Sequence, residues 1–169
     1  TTMDEEGILA YLQHHHIPYQ RYTHRPVFTV AQADAVTPPI PGASSKNLLL
    51  VDPAADRCLL LMTPGHKRVD FKHLSPLVGA PKGLRFAPEN LLAEVLGVGP
   101  GAVTVLGLVN DVTGRAELWI DSDLWQADAL HCHPLVNTAT LVIAPPDLKR
   151  FFHLTGHQPH FVQVPALST

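Results

Sequence analysis

The sequence predicts an α+β domain around a mixed, mostly antiparallel sheet of about seven strands with four or five short helices. Three observations lead there. Apolar runs of strand length recur between clusters of proline, glycine and aspartate, as in "KNLLLVD", "DPAADR" and "CLLLMTP". Short amphipathic stretches with helix-end residues lie between them, without the regular strand–helix alternation of a parallel sheet. Hydrophobic residues make up 46% of 169 residues, enough for one sizeable core. Residues 1–169 read as a single domain without internal repeat, linker or low-complexity tract.

The elements follow in order. Asp4, Glu5 and Glu6 precede a helical spacing of Ile8, Leu9, Tyr11 and Leu12, and carboxylates suit a helix N-terminus. Pro18 ends that helix, and "YQRYTH" alternates as a strand does. "FTVAQADAV" reads as a short helix with Thr29 as N-cap. "TPPIPGASS" is a loop, because its prolines and glycine continue neither regular structure. "KNLLLVD" and "CLLLMTP" form a hairpin across "DPAADR". "DFKHLSPLVG" is a helix ending near Gly79, and "LRFAP" is a short strand. Pro88 and Glu89 open the helix "PENLLAEVLGV", which Gly97 closes. "GPGAVTVLGLVND" is a turn followed by a strand, and "RAELWID" is a second strand. "DSDLWQADAL" is a short helix or turn, and "TATLVIAPP" is a β-branched strand. "PDLKRFFHLTGH" is a helix ending at Gly156, and "PHFVQVP" is the last strand.

Composition excludes several classes. No apolar stretch approaches the ~20 residues of a membrane span, and the acidic start is not a signal peptide, so a cytoplasmic protein without a membrane partner is expected. Cys58 and Cys132 have no framework spacing and are expected as free, buried thiols. A net charge of -3 argues against gripping long nucleic acid by bulk charge. The charge is uneven, however. Residues 65–85 hold Lys67, Arg68, Lys72, Lys82 and Arg85 against Asp70. Residues 111–128 hold Asp111, Glu117, Asp121, Asp123 and Asp128 against Arg115. The first stretch is either a patch for phosphates or a solvated helix face.

Familiar catalytic patterns are missing. There is no G-x-S-x-G elbow, P-loop, HExxH or CxxC in the sequence. Consecutive His14, His15 and His16 point in different directions on a helix and are expected at the surface. His131 and His133 in "HCHP" share a strand face but lack a third ligand, so neither metal nor cofactor is expected. What remains is polar residues at strand ends. Lys46 and Asn47 stand before Leu48, Leu49, Leu50 and Val51; Asn110 and Asp111 follow "VLGLV"; His133, Asn137, Thr138 and Thr140 sit in "HPLVNTAT". On one sheet these ends would border one cleft, where a lysine suits a phosphate or a polarised carbonyl. The plainer readings stay open at this point: an edge lysine, a β-turn and an ordinary strand start.

The stretches "HRPVFTVAQA" (24–33), "SSKNLLLVD" (44–52), "LRFAPENLLAEVLGVGPGAVTVLGLVND" (84–111) and "HPLVNTATLVIAPPDLKRFFHLTGHQP" (133–159) together resemble the YbaK/ProX-like superfamily. These are aminoacyl-tRNA deacylases related to the editing insertion of bacterial prolyl-tRNA synthetase. Within the superfamily the chain is most similar to the free-standing ProX type. The resemblance implies a barrel-like sheet and metal-free hydrolysis of the ester between a small amino acid and the terminal adenosine of tRNA, most of all alanine on proline tRNA. It implies catalytic roles for Lys46, Asn47 and His133 and a glycine-rich pocket turn at Gly101 and Gly107; His24, Asn110, Asn137 and Thr138 are further candidate substrate contacts. The implied partners are the acceptor end of mischarged tRNA and prolyl-tRNA synthetase. Cysteinyl-tRNA hydrolysis, a non-catalytic tRNA- or synthetase-binding module and a His-based metallohydrolase are the alternatives. The chain departs from the pattern twice. His24-Arg25-Pro26 replaces the common "HPP", and Val105 replaces the proline of a Gly-x-x-x-Pro turn that begins at Gly101.

Overall fold

The computed structural model describes residues 2–168. Among them lie eight strands, five α-helices and three short 3-10 turns. The helices are α1 (Glu5–His14), α2 (Val30–Asp34), α3 (Phe71–Leu77), α4 (Glu89–Leu96) and α5 (Pro145–Thr155). The larger sheet runs in the order β4 (Arg85–Phe86), β2 (Ser45–Asp52), β3 (Arg57–Pro64), β5 (Ala116–Asp121) and β8 (Pro159–Val162). The smaller runs β1 (Gln20–Thr23), β7 (Ala139–Ile143) and β6 (Leu130–Cys132). The β3–β5 and β5–β8 pairs are parallel and the rest antiparallel, so the predicted mixed α+β class holds.

The expected single barrel-like sheet of about seven strands is not what the eight described strands make. The strands divide into two sheets, connected by one isolated bridge between Ala43 and Leu130. The strand expected over "VLGLVND" is also corrected, because Val105–Asn110 is a 3-10 helix. An unbroken apolar run has no period of its own to separate strand from buried helix. Local packing decides here: a Cβ on Gly107 would lie 2.9 Å from Leu96 Cβ, so this segment nests against the end of α4. Thr104 caps the turn by accepting a hydrogen bond from the Leu106 N–H.

The hairpin β2–β3 explains its own composition. Lys46 pairs with Thr63, Asn47 with Met62 and Leu49 with Leu60. Alternate residues of the hairpin enter two separate cores. Leu49, Leu60 and Met62 join the large core beneath α1, α4 and α5, whereas Leu50, Leu59 and Leu61 join a smaller one beneath α3. Burial on both faces is why the runs are continuously apolar rather than alternating. Truncating one of these fully buried leucines to alanine costs about 2–5 kcal/mol. Predicted helix ends are also present: Thr29 caps α2, and Gly97 and Gly156 close α4 and α5 in the left-handed conformation. Both cysteines are free and buried, as expected.

One cation of the basic stretch, Lys67, joins the acidic segment, and Arg57 and His157 from outside that stretch hold two more of its carboxylates. Lys67 Nζ lies 2.7 Å from Asp121 and 2.9 Å from Asp123. Arg57 holds Glu117 through two contacts of 2.7 Å, and His157 holds Asp111 at 2.9 Å. The acidic run is largely internal wiring.

Candidate active site

Where the two sheets meet, a cleft of about 300 Å³ opens. The start of β2 forms its floor, through Ser44, Ser45, Lys46, Asn47 and Leu48. The segment from Val27 into α2 forms one wall, with Pro100, Gly101 and Val103 beside it. His131, Cys132, His133 and Thr140 of the smaller sheet complete the lining.

The floor is an open strand edge. The Ala43 carbonyl accepts from His131 N–H, and the Leu49 carbonyl accepts from Ala87 N–H. These bonds lie on the side of β2 away from β3, and main-chain groups alternate sides along an antiparallel strand. The N–H and C=O of Ser45 and Asn47 therefore face the same open side, between the two attachments. Lys46, by the same alternation, faces its backbone toward β3.

Lys46 is half-buried, and among the described residues no carboxylate pairs with it. Burial lowers its pKa below the usual lysine value. Asn47 is fixed instead of free. Its Oδ1 accepts a hydrogen bond of 2.8 Å from the Val105 N–H, which leaves the amide NH₂ as the donor end. A proline in place of Val105 would have no such N–H.

His133 Nδ1 donates to the Ala139 carbonyl at 3.2 Å. Burial lowers its pKa, with the carbonyl acting in the opposite sense and the rings of His24 and His131 adding to the lowering. The ring is thus neutral near pH 7, and its Nε2 keeps a lone pair. His131 Nε2 donates to the Pro41 carbonyl at 2.8 Å, and Ser45 Oγ donates to the His131 carbonyl at 2.7 Å. Burial pushes the Cys132 thiol up to about 12, so it remains protonated near neutral pH and is a poor nucleophile. Among the described residues, no group of three or more His, Cys, Asp and Glu is arranged to hold a metal ion.

Of the residues expected at the site, Lys46, Asn47, Gly101 and His133 line one cleft. His24 and Asn137 stand one layer behind it. His24 Nδ1 donates to the Arg25 carbonyl at 2.7 Å, and its Nε2 lies 2.8 Å from Thr140 Oγ1 in the lining. In the neutral ring that nitrogen accepts the hydroxyl proton, so Thr140 turns an oxygen lone pair outward. Asn137 donates to the Val27 carbonyl at 3.1 Å and accepts the Val27 N–H through its own carbonyl, which frames the wall. Thr138 is exposed outside the lining, where its carbonyl accepts the His24 N–H. Gly107 and Asn110 also lie outside the cleft. Gly107 serves close packing on Leu96, and Asn110 joins Met3 to the Leu96 carbonyl. Phe28, Ser45 and His131 line the cleft without having been singled out as site residues in the sequence.

This architecture recurs among known proteins. The family model described as the aminoacyl-tRNA editing domain matches residues 24–151. Prolyl-tRNA synthetase associated domain-containing protein 1 of Danio rerio is 38% identical over 139 residues, covering 80% of this chain and 74% of the relative. The prolyl-tRNA editing protein ProX of Acetoanaerobium sticklandii is 29% identical over 153 residues, covering 90% and 93%. The crystallised protein APE2540 shares the fold with a TM-score of 0.70 at 22% identity, covering 90% of this chain and 95% of that one.

Proposed function

The chain belongs to the aminoacyl-tRNA editing domain family, and from that premise we propose that it is a trans-editing hydrolase removing alanine from mischarged proline tRNA. The observation that carries this reading is Lys46, a half-buried ammonium that lines the cleft and, among the described residues, has no carboxylate partner. A desolvated cation held this way favours an anionic ligand, and the terminal phosphate of tRNA supplies one.

The remaining groups suit an ester that is already activated. Asn47 aims two N–H donors where a carbonyl oxygen gathers charge, and its orientation is fixed before substrate arrives. The open main-chain edge at Ser45 and Asn47 and the Thr140 oxygen offer acceptors for the α-ammonium. The neutral His133 Nε2 accepts a hydrogen bond from the aminoacyl end or from water. Water oxygen adds to the carbonyl carbon, the bond to the ribose oxygen breaks, and that oxygen takes up a proton. The products are alanine and uncharged tRNA. The neighbouring ribose hydroxyl relays the proton, so no metal and no covalent protein intermediate take part. The relatives' names support prolyl-tRNA as the setting; prolyl-tRNA synthetase as partner and the cytoplasm as location are part of the proposal.

Single-turnover deacylation of Ala-tRNA(Pro) tests the reading. Lys46→Ala is expected to lose about 100-fold or more, roughly 2.7 kcal/mol, while circular dichroism and melting stay near wild type. The wild-type rate is expected to survive exhaustive chelation. A folded Lys46→Ala variant that hydrolyses the ester at the wild-type rate would remove the proposed role.

A further inference from the structure

Phe28 stands out among the exposed aromatic residues. The residue is 70% exposed, yet it lines the cleft. The two other strongly exposed phenylalanines have aromatic neighbours: Phe86 meets Phe71 at 5.4 Å and Phe161 meets Trp125 at 5.5 Å between ring centroids. Among the described residues Phe28 has no such neighbour.

Nor is it a loose surface ring. Asn137 holds Val27 through both its backbone and side chain, and the Phe28 N–H donates to Gln32 Oε1 at 2.7 Å. The ring rests against Gly101, where a Cβ would come within 2.9 Å of Phe28 Cδ1 and 3.0 Å of Cε1. The absence of a side chain at Gly101 is what gives the ring its seat. Single exposed aromatic residues are common on protein surfaces; this one is set apart by its fixed seat inside the cleft, where an incoming ligand would cover it.

The same cleft supplies the cover's other half, since Lys46 offers a cation for a phosphate. An aromatic platform and a lone cation in one cleft match a nucleotide: a base to stack and a phosphate to pair. We infer that Phe28 is the stacking platform for the base of the 3′-terminal nucleotide of the tRNA, held in place by Gly101 and Asn137. This rests on the deacylase reading and adds a binding contact to it. Stacking is tolerant of base identity, so Phe28 contributes grip on the terminus, with the discrimination between amino acids made elsewhere in the cleft.

Two measurements test it. In deacylation of Ala-tRNA(Pro), Phe28→Ala and Phe28→Leu are expected to lower kcat/KM by about 5- to 100-fold, chiefly through KM. Phe28→Trp is expected to retain it, because leucine restores apolar bulk but only an aromatic stacks. The second readout needs no turnover. The Phe28→Trp protein is titrated with uncharged tRNA ending in adenosine or in an abasic nucleotide, with the unsubstituted protein as blank for Trp119 and Trp125. Quenching by the adenosine end and not by the abasic end is expected. A Phe28→Leu variant with wild-type KM, or equal quenching by both termini, overturns the inference. If the wild type deacylates nothing, the enzymatic reading fails, and the titration still decides the stacking role by itself.

Discussion

Two lysines flank the same threonine and meet opposite fates. Thr63 on β3 pairs in register with Lys46 on β2, and its hydroxyl donates to Asp121 at 2.9 Å. Lys67, a few residues beyond Thr63, reaches the same carboxylate at 2.7 Å. Asp121 is wholly buried, and it also accepts the Asp123 N–H. With Thr63, Lys67 and the main chain occupying its oxygens, Asp121 has little left to offer Lys46. One cation is neutralised inside the fold, and its neighbour remains available to a ligand. Residue type does not separate a structural lysine from a binding one; the location of the buried carboxylate does.

The pKa directions follow the same division. Burial pulls Lys67 down, but hydrogen bonds to Asp121 and Asp123 and their charges outweigh it, so its pKa is raised. For Lys46 burial acts without such compensation, and the pKa is lowered.

The largest expected effect breaks the structural half of this pair. Lys67→Met leaves Asp121 charged and buried without its cation, which costs about 3–5 kcal/mol of stability. Lys46→Met should change stability by no more than ~0.5 kcal/mol, since it removes a charge that no protein group pairs. Urea unfolding of the two variants gives the comparison directly, and equal losses would erase it.

The pH dependence sharpens the functional half. The reading requires Lys46 charged and His133 neutral. Both pKa values are lowered by burial. The acid limb of kcat/KM should therefore lie below the ordinary histidine value of about 6.5, and the alkaline limb below the ordinary lysine value of about 10.4. His133→Ala should remove the acid limb, and Lys46→Ala should remove the alkaline one from whatever activity remains.

The smallest effect concerns the fixed amide beside Lys46. Val105 begins a 3-10 helix, a position that accepts proline. Val105→Pro removes the N–H that holds Asn47, equivalent to about 0.5–1.5 kcal/mol for one hydrogen bond. A fall of about 2- to 10-fold in single-turnover rate, at nearly unchanged melting temperature, is expected. An unaltered rate would show that Asn47 needs no such support.

Much of this was legible in the sequence. The hairpin and the helix ends could be read because two-sided burial and capping leave local signatures, as in "NLLLV", Thr29 and Gly97. Residues 105–110 misled because an apolar run reports burial and not backbone geometry. Lys46, Asn47, Gly101 and His133 could be assembled from ordered motifs, although they come from distant segments. Gly107 and Asn110 looked equally suitable but are occupied by packing and by backbone contacts. Phe28 left no signal of its own: its meaning comes from its exposure, the Gly101 seat and the cation nearby, all products of assembly. The pairing of Lys67 with the acidic segment was hidden for the same reason, since Lys67 and Asp121 meet only once β3 and β5 are adjacent.

We propose that the small cleft lined by Lys46 edits proline tRNA by admitting alanine and excluding the correct amino acid. Proline adds two carbons and a rigid ring to alanine's methyl, and overlap in a tight site costs more than a missing contact. The decisive measurement is single-turnover deacylation of alanyl, cysteinyl, seryl and prolyl forms of one tRNA(Pro) by the wild-type protein. Rapid loss of the alanyl ester with the prolyl ester left nearly intact is the predicted result. Equal rates on the alanyl and prolyl esters would contradict it, because such an enzyme would destroy the product it should protect.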